Sequence, residues 1–124
     1  MNIVLWIIAA LLAAAFAAAG LMKLTQPKAK LAASGMAWTE DFSDGRVKAI
    51  GAIEVLGAIG LVLPAALGIA TILTPLAAAG LAVTMAVAAA VHLRRGERSM
   101  VPVNVVLGGL AVFVAVMRLG PNAF

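Results

Sequence analysis

The sequence contains no cysteine and only one histidine, His92, and these two shortages exclude several classes of protein. Without cysteine there is no disulfide scaffold, no thiol redox chemistry, no iron–sulfur cluster and no covalently attached c-type haem. With one histidine, a single chain cannot assemble a zinc or copper site from several imidazoles. We therefore expect neither a metal site nor an intrinsic cofactor.

Charged residues are also scarce: they make up 11% of the 124 residues, whereas 65% are hydrophobic. A soluble domain has about 25% charged residues, which it needs to cover its surface. A surface that faces lipid needs no such cover, so the composition predicts a membrane protein. The net charge of +4 does not indicate nucleic acid binding, because aromatic residues are only 5% and the basic residues border apolar runs.

The apolar stretches have the lengths of membrane-spanning helices. Residues 3–22 carry no charge, and as a helix they span about 30 Å, the thickness of the hydrocarbon core. A cleaved signal peptide is the alternative, but no lysine or arginine precedes the stretch, so we expect an uncleaved helix. Residues 49–91 contain one charge and are too long for a single crossing. Proline and glycine within residues 63–68 predict the turn between two spans.

These stretches predict an all-α fold, a polytopic antiparallel four-helix transmembrane bundle that forms one domain over residues 1–124. We expect Pro75 to kink the third span. In the first connector, Leu31, Met36, Trp38 and Phe42 predict a segment that rests at the membrane interface. The expected spans lie near residues 3–23, 46–63, 69–93 and 100–118, with connectors at residues 24–45 and 94–99.

The basic residues are divided unevenly between the two ends of this bundle. Eight of the nine lysines and arginines lie in or beside the connectors at residues 24–45 and 94–99, and only Arg118 lies at the other end. Because cytoplasmic loops carry the excess of basic residues, both connectors are predicted to be cytoplasmic and both termini to lie outside.

Each predicted span contributes one polar residue to the cytoplasmic half of the bundle: Lys23, Glu54, His92 and Asn104. Glu54 lies about 12 Å into its span, where facing lipid would cost at least about 2.5 kcal/mol, so it should face the interior. One interpretation is a carboxylate that binds a ligand or carries a proton. The other is a structural ion pair with Lys23, which is a weak source of net stability. The residues leave both interpretations open.

The remaining candidates have a structural and a functional interpretation each. His92 fits a solvated residue at a helix C-terminus, and a ligand contact is the alternative. Asn104 fits an interhelical hydrogen bond or a substrate contact. Gly51 and Gly57 lie one turn to either side of Glu54, where they would let a neighbouring backbone or a ligand approach closely. These four residues are candidates for lining a site around the lysine and the glutamate.

Two short motifs carry a family resemblance. Gly-Leu-Met-Lys-Leu at residues 20–24 and Gly-Ala-Ile-Glu-Val-Leu-Gly at residues 51–57, followed by Pro64, resemble the DoxX and DoxX-like membrane proteins. The resemblance covers nearly the whole chain and implies the four-helix fold, a location in the prokaryotic cell membrane, and a role for Lys23 and Glu54. Relatives are linked to membrane redox complexes, but this chain has no haem-ligand pair and no flavin or nucleotide motif.

Three functions are compatible with these features. The first is a binding protein that holds a lipophilic or quinone-like molecule, or a lipid, in the bundle core near Lys23 and Glu54. The second is a non-catalytic accessory or anchoring subunit that docks a membrane or cytoplasmic partner protein through residues 24–45, with homo-oligomers as a further form of assembly. The third is a proton-coupled transporter, which at this size would need to oligomerise. An enzyme acting unaided is disfavoured, because no nucleophile, base and orienting group can be assembled from these residues.

Overall fold

The computed structural model describes all 124 residues, which form five α-helices, two short 3-10 turns and no strand. Four of the helices, with 19 to 24 residues each, are long and apolar enough to cross a membrane. The predicted all-α, four-helix membrane bundle is therefore confirmed, and the chain is a multi-pass membrane protein. The helices are α1 (Asn2–Thr25), α2 (Lys28–Ala33), α3 (Asp44–Leu67), α4 (Leu73–Arg94) and α5 (Val101–Leu119), and the 3-10 turns cover Ala37–Asp41 and Arg98–Met100.

The four long helices form a closed ring in which α1 packs on α3, α3 on α4, α4 on α5, and α5 on α1. Large apolar side chains fill the centre, and alanines at the helix crossings allow the helices to approach closely. The outer surface is apolar as well, with several exposed aliphatic side chains on every long helix, as expected for a surface in lipid. The central side chains include Leu5, Leu12, Phe16, Leu61, Leu81 and Val114.

The turn between the second and third spans lies later in the chain than the expected bounds of 46–63 and 69–93. Helix α3 continues through Pro64 to Leu67 and ends at Gly68, which adopts the left-handed conformation with φ of +68°. Helix α4 begins at Leu73, so Pro75 lies in its first turn, where backbone N–H groups have no partner within the helix. The expectation that Pro75 lies inside the third span and kinks it was therefore wrong.

The two ends of the bundle differ in charge. The charged end carries both connectors, residues 26–43 and 95–100, and the opposite end carries the α3–α4 turn and both chain termini. At the opposite end, Arg118 is only 5% exposed and donates to the backbone oxygen of Asn122 at 2.9 Å. Its guanidinium also lies 3.9 Å from the ring centre of Phe124, which contacts Trp6 edge-on. This cluster attaches the C-terminal residues to α1.

The first connector folds over the charged end of the bundle. Leu31 on α2 is fully buried, and Met36, Trp38 and Phe42 turn inward. We call residues 35–42 the cap. The cap is tied in place by Lys28, whose ammonium donates to the backbone oxygen of Phe42. These four apolar residues cover the end of the bundle, which removes part of their surface from water. Their position at the membrane interface stays a prediction.

Candidate functional site

A buried ion pair joins α1 to α3 at the charged end. The ammonium Nζ of Lys23 donates to Oε1 of Glu54 at 2.6 Å, a short charge-assisted hydrogen bond. The two side chains are 6% and 3% exposed. Both partners come from the motifs that carry the family resemblance, and Glu54 faces the interior of the bundle, as its cost in lipid predicts. The attraction between the two charges is stronger than at the surface because little water screens it, and burial of both charges offsets this gain.

Two glycines bring the helices close enough to form this pair. A Cβ atom on Gly20 would lie 2.6 Å from the backbone oxygen of Gly51, and a Cβ on Gly51 would lie 2.7 Å from the backbone oxygen of Gly20. The Gly51 Cβ would also lie 2.8 Å from Cβ of Lys23. The backbones of α1 and α3 therefore cross in direct contact one turn from the ion pair. This is the close backbone approach that the sequence offered as one interpretation of Gly51.

A cavity of about 360 Å³ adjoins the ion pair, a volume at the lower end of the range for small-molecule sites. It brings together Lys23, Glu54, His92 and Asn104, one from each long helix. Its walls are otherwise mostly apolar. They include Ala15, Phe16 and Ala19 of α1, Ile50 and Ile53 of α3, Val83, Met85, Val87, Ala88 and Val91 of α4, and Leu107 of α5.

His92 and Asn104 are both buried where they line this cavity. His92 is 5% exposed, and its Nδ1 lies 3.1 Å from Oε1 of Glu97. Because a carboxylate only accepts hydrogen bonds, Nδ1 is the donor of this contact. His92 is therefore not the solvated residue that the helix end suggested. Asn104 is 6% exposed, and its Nδ2 is buried without a hydrogen-bond partner in the protein. The interhelical hydrogen bond that its position suggested is not formed by this donor.

Gly51 and Gly57, the other two candidates for lining, lie outside the cavity wall. Gly51 occupies the crossing of α1 and α3. A Cβ on Gly57 would lie 2.7 Å from Cδ2 of Leu81, so this glycine accommodates a side chain of α4. Both glycines serve helix packing, which places the charged residues without contacting the cavity.

The cavity has a mouth between α3 and α4. Ile53 of α3 and Val83 and Val87 of α4 line the cavity and are also 53%, 65% and 58% exposed on the outside of the bundle. Ile53 lies nine residues from the start of α3, about 14 Å, and Val87 lies seven residues from the end of α4, about 10 Å. The mouth therefore opens at the depth of the hydrocarbon core.

Towards the opposite end, α3 and α4 are joined directly and the space is closed. The hydroxyl of Thr74 donates to the backbone oxygen of Leu61 at 3.0 Å, and a Cβ on Gly60 would lie 3.0 Å from Cβ of Ala77. Leu61 itself is fully buried. The cavity is thus a side pocket of the charged half, and packed apolar side chains separate it from the opposite end.

The cap closes the charged end of the cavity. Met36, Trp38 and Phe42 are part of its wall, and the Trp38 ring centre lies 5.6 Å from Nζ of Lys23. Trp38 and Phe42 also contact each other edge-on, with ring centres 5.6 Å apart. The sequence analysis did not predict that these cap residues line the site. Their clustering as the only aromatic residues in a charged connector was the available signal.

A salt bridge links the two connectors beside the cap. Nη1 of Arg95 donates to Oδ2 of Asp41, and Nε of Arg95 lies 3.3 Å from Oε1 of Glu97. The hydrogen bond that Arg95 donates to Asp41 raises the pKa of Arg95, so the guanidinium keeps its charge. Asp41 is 56% exposed in its side chain, so the bridge is screened by water and holds the cap weakly.

The chemistry available in the cavity is that of binding. It offers one neutralised ion pair, one free amide donor and one imidazole, enclosed by aliphatic and aromatic walls. No group of three or more histidine, aspartate or glutamate side chains is placed to hold a metal ion. The arrangement suits a molecule that is mostly apolar and has a polar end.

Comparison with known proteins agrees with this architecture. The family model described as the DoxX-like family matches residues 7–114, which include most or all of each long helix and every polar residue of the cavity. Neither the curated proteins nor the solved structures gave a match. Because the match covers most of the sequence, the chain belongs to the DoxX-like family.

Proposed function

We propose that this protein binds a lipophilic or quinone-like small molecule in the cavity between α1, α3, α4 and α5, with the polar end of that molecule near Lys23 and Glu54. The observation that carries the proposal is the mouth between Ile53 and Val87. It connects a cavity with polar groups at its inner end to the hydrocarbon layer, where lipophilic molecules are concentrated. A molecule that enters there would reach the site from the hydrocarbon layer without passing through water.

The proposal includes an orientation in the prokaryotic cell membrane. The connectors at residues 24–45 and 94–99 would lie in the cytoplasm and both termini outside, because eight of the nine basic residues lie at the charged end. The ninth, Arg118, is buried against aromatic rings and does not offset this asymmetry. In this orientation the cavity would draw its ligand from the cytoplasmic leaflet.

An accessory or anchoring role is the second candidate, and the exposed charges of the connectors favour it. Lys30, Glu40, Arg46 and Lys48 project from the charged end and offer both signs to a partner protein. Under this role, altering these exposed residues would release a co-purified partner, whereas filling the cavity would not.

Proton-coupled transport is the weakest of the three candidates. The side chains between the cavity and the opposite end, such as Leu12, Leu61 and Leu81, are apolar and at most 1% exposed. A proton route needs polar groups or water along its length, and these leucine side chains provide no polar group. Liposome flux that depends on Glu54 would be required to restore this candidate.

The binding proposal can be tested with the tryptophans of the chain itself. There are two, and only Trp38 lines the cavity. In nanodiscs, a Trp6→Phe variant leaves Trp38 as the single reporter, and a Trp38→Phe variant leaves Trp6 at the opposite end. We expect 1-bromoundecane, a heavy-atom quencher, to quench Trp38 in a saturable manner and Trp6 only in proportion to its concentration in the lipid. Decylubiquinone serves as the quinone probe in the same titration.

A pair of matched variants controls for effects unrelated to the cavity. Ala88 lines the cavity, and Ala88→Phe in the Trp38 reporter should fill part of it and remove the saturable quenching. Ala86 is exposed on the outside of the same helix, so Ala86→Phe should leave the quenching unchanged. Linear quenching of Trp38 in every variant would reject the proposed function.

A further inference from the structure

The polar end of the cavity carries information about the charge of its ligand. Lys23 and Glu54 neutralise each other at 2.6 Å, and His92 is engaged by Glu97 through Nδ1. An anionic head group near Lys23 would also lie near the Glu54 carboxylate and be repelled by it, and a cationic one would have to displace the lysine. The charges are thus already paired within the protein, which favours an uncharged ligand.

Asn104 is the group whose hydrogen bonding is incomplete. It projects from α5 into the cavity, is 6% exposed, and its Nδ2 has no partner in the protein although that atom is buried. Buried amide donors are nearly always paired, because an unpaired one loses its hydration without replacement. A ligand with a hydrogen-bond acceptor in the cavity would give Nδ2 of Asn104 the partner that it lacks.

The walls and the mouth determine the rest of the molecule. The cavity of about 360 Å³ has room for a small head or ring, and its aliphatic lining continues to the mouth at Ile53 and Val87. An apolar tail can therefore extend from the head through the mouth into the bilayer. The one hydroxyl in this wall, that of Thr84, already donates to the backbone oxygen of Gly80 at 2.9 Å.

We infer that the cavity selects an uncharged lipophile that presents a carbonyl-type acceptor to the amide of Asn104. This inference rests on the proposed function and adds the chemical class of the ligand. Asn104 is then the residue that determines specificity, while Lys23 and Glu54 keep charged amphiphiles out of the cavity.

Four probes of equal chain length test this selection: undecane, 2-undecanone, 1-undecanol and undecyl sulfate. Each competes with 1-bromoundecane for the cavity in the Trp6→Phe reporter, and the recovery of Trp38 fluorescence is measured against the mole fraction of probe in the lipid. We expect the ketone to bind about threefold to tenfold more tightly than the alkane, the effect of one hydrogen bond. Undecyl sulfate should bind less tightly than the ketone.

The variant Asn104→Leu isolates the role of the amide. Leucine has a similar volume and no donor, so the preference for ketone over alkane should fall about threefold to tenfold, while binding of the alkane persists. Alkane binding also reports that the variant is folded, and Asn104→Ser, which retains a donor, should keep part of the preference.

Three results would overturn the inference. An unchanged preference for the ketone in Asn104→Leu would mean that the amide does not contact the head group. Tightest binding of undecyl sulfate would mean that Lys23 recruits anions. A clear preference for 1-undecanol over the ketone would mean that the site accepts a hydrogen bond instead of donating one. If no probe, including the alkane, displaces 1-bromoundecane in a saturable manner, the proposed function fails together with the inference.

Discussion

Removing one partner of the buried ion pair should destabilise the bundle far more than removing both. Lys23 and Glu54 are 6% and 3% exposed in their side chains and 2.6 Å apart, so either single replacement leaves an unpaired charge in an apolar environment. Such a change costs about 3–5 kcal/mol, whereas replacement of the whole pair by apolar residues is often neutral. We expect Lys23→Met and Glu54→Leu each to cost this amount. Glu54→Leu should lie towards the lower end, because the lysine side chain can reach towards water.

A double-mutant cycle measures the effect. Unfolding is followed by circular dichroism during titration with a denaturing detergent, in wild type, both single variants and Lys23→Met/Glu54→Leu. The double variant should lie within about 2 kcal/mol of wild type, which corresponds to a coupling of several kcal/mol. Single variants that each cost less than about 1 kcal/mol, or a double variant that costs the sum of the two, would refute a desolvated pair.

Three further predictions concern the helix crossing, the mouth and the cap. Gly51→Ala should cost about 1–3 kcal/mol in the same unfolding assay, because the added Cβ would lie 2.7 Å from the backbone oxygen of Gly20. Gly80→Ala is the control and should not destabilise the bundle, because its Cβ would have no neighbour within 4 Å. Equal losses of stability in the two variants would contradict the close crossing of α1 and α3. Val87→Phe should narrow the mouth and slow the onset of quenching by 1-bromoundecane in the Trp6→Phe reporter. Val112 is exposed on α5, away from the mouth, so Val112→Phe should leave this rate unchanged. Equal rates in the two variants would argue against entry between α3 and α4. Asp41→Asn should lower the free energy of unfolding by less than about 1 kcal/mol, because the salt bridge to Arg95 is exposed to water. Loss of this bridge should loosen the cap and increase quenching of Trp38 by aqueous acrylamide. Unchanged quenching would mean that the salt bridge does not hold the cap.

The helices and the charged pair were accessible from the sequence because lipid imposes simple rules. Uninterrupted apolar length predicts a span, and a carboxylate at membrane depth has to face inward and find a partner. These rules predicted four spans and an interior Glu54, and an ion pair with Lys23 was one of the two interpretations of that carboxylate. The structure realises that pairing, and the binding role of the pair remains a prediction.

The details that failed depend on contacts between distant residues. A membrane helix can end at a proline such as Pro64 or continue through it, because membrane helices tolerate proline. Only the packing of the α3–α4 turn decides between these two outcomes. Trp38 and Phe42 could insert into lipid or cover the bundle, since both environments bury apolar surface. The mouth at Ile53 and Val87 arises from the separation of two helices, which the largely uniform alanine, valine and isoleucine composition of these spans does not encode locally.

We propose that a lipophilic molecule occupies the cavity at the charged end of the bundle, whose mouth lies between α3 and α4. Crystals soaked in 1-bromoundecane and measured at the bromine absorption edge test it most directly, since the anomalous signal locates the bromine without reference to any other atom. The account predicts a bromine peak inside the wall formed by Glu54, Trp38 and Asn104 that disappears in Ala88→Phe. Peaks confined to the outer surface of the bundle, with an empty cavity, would contradict it.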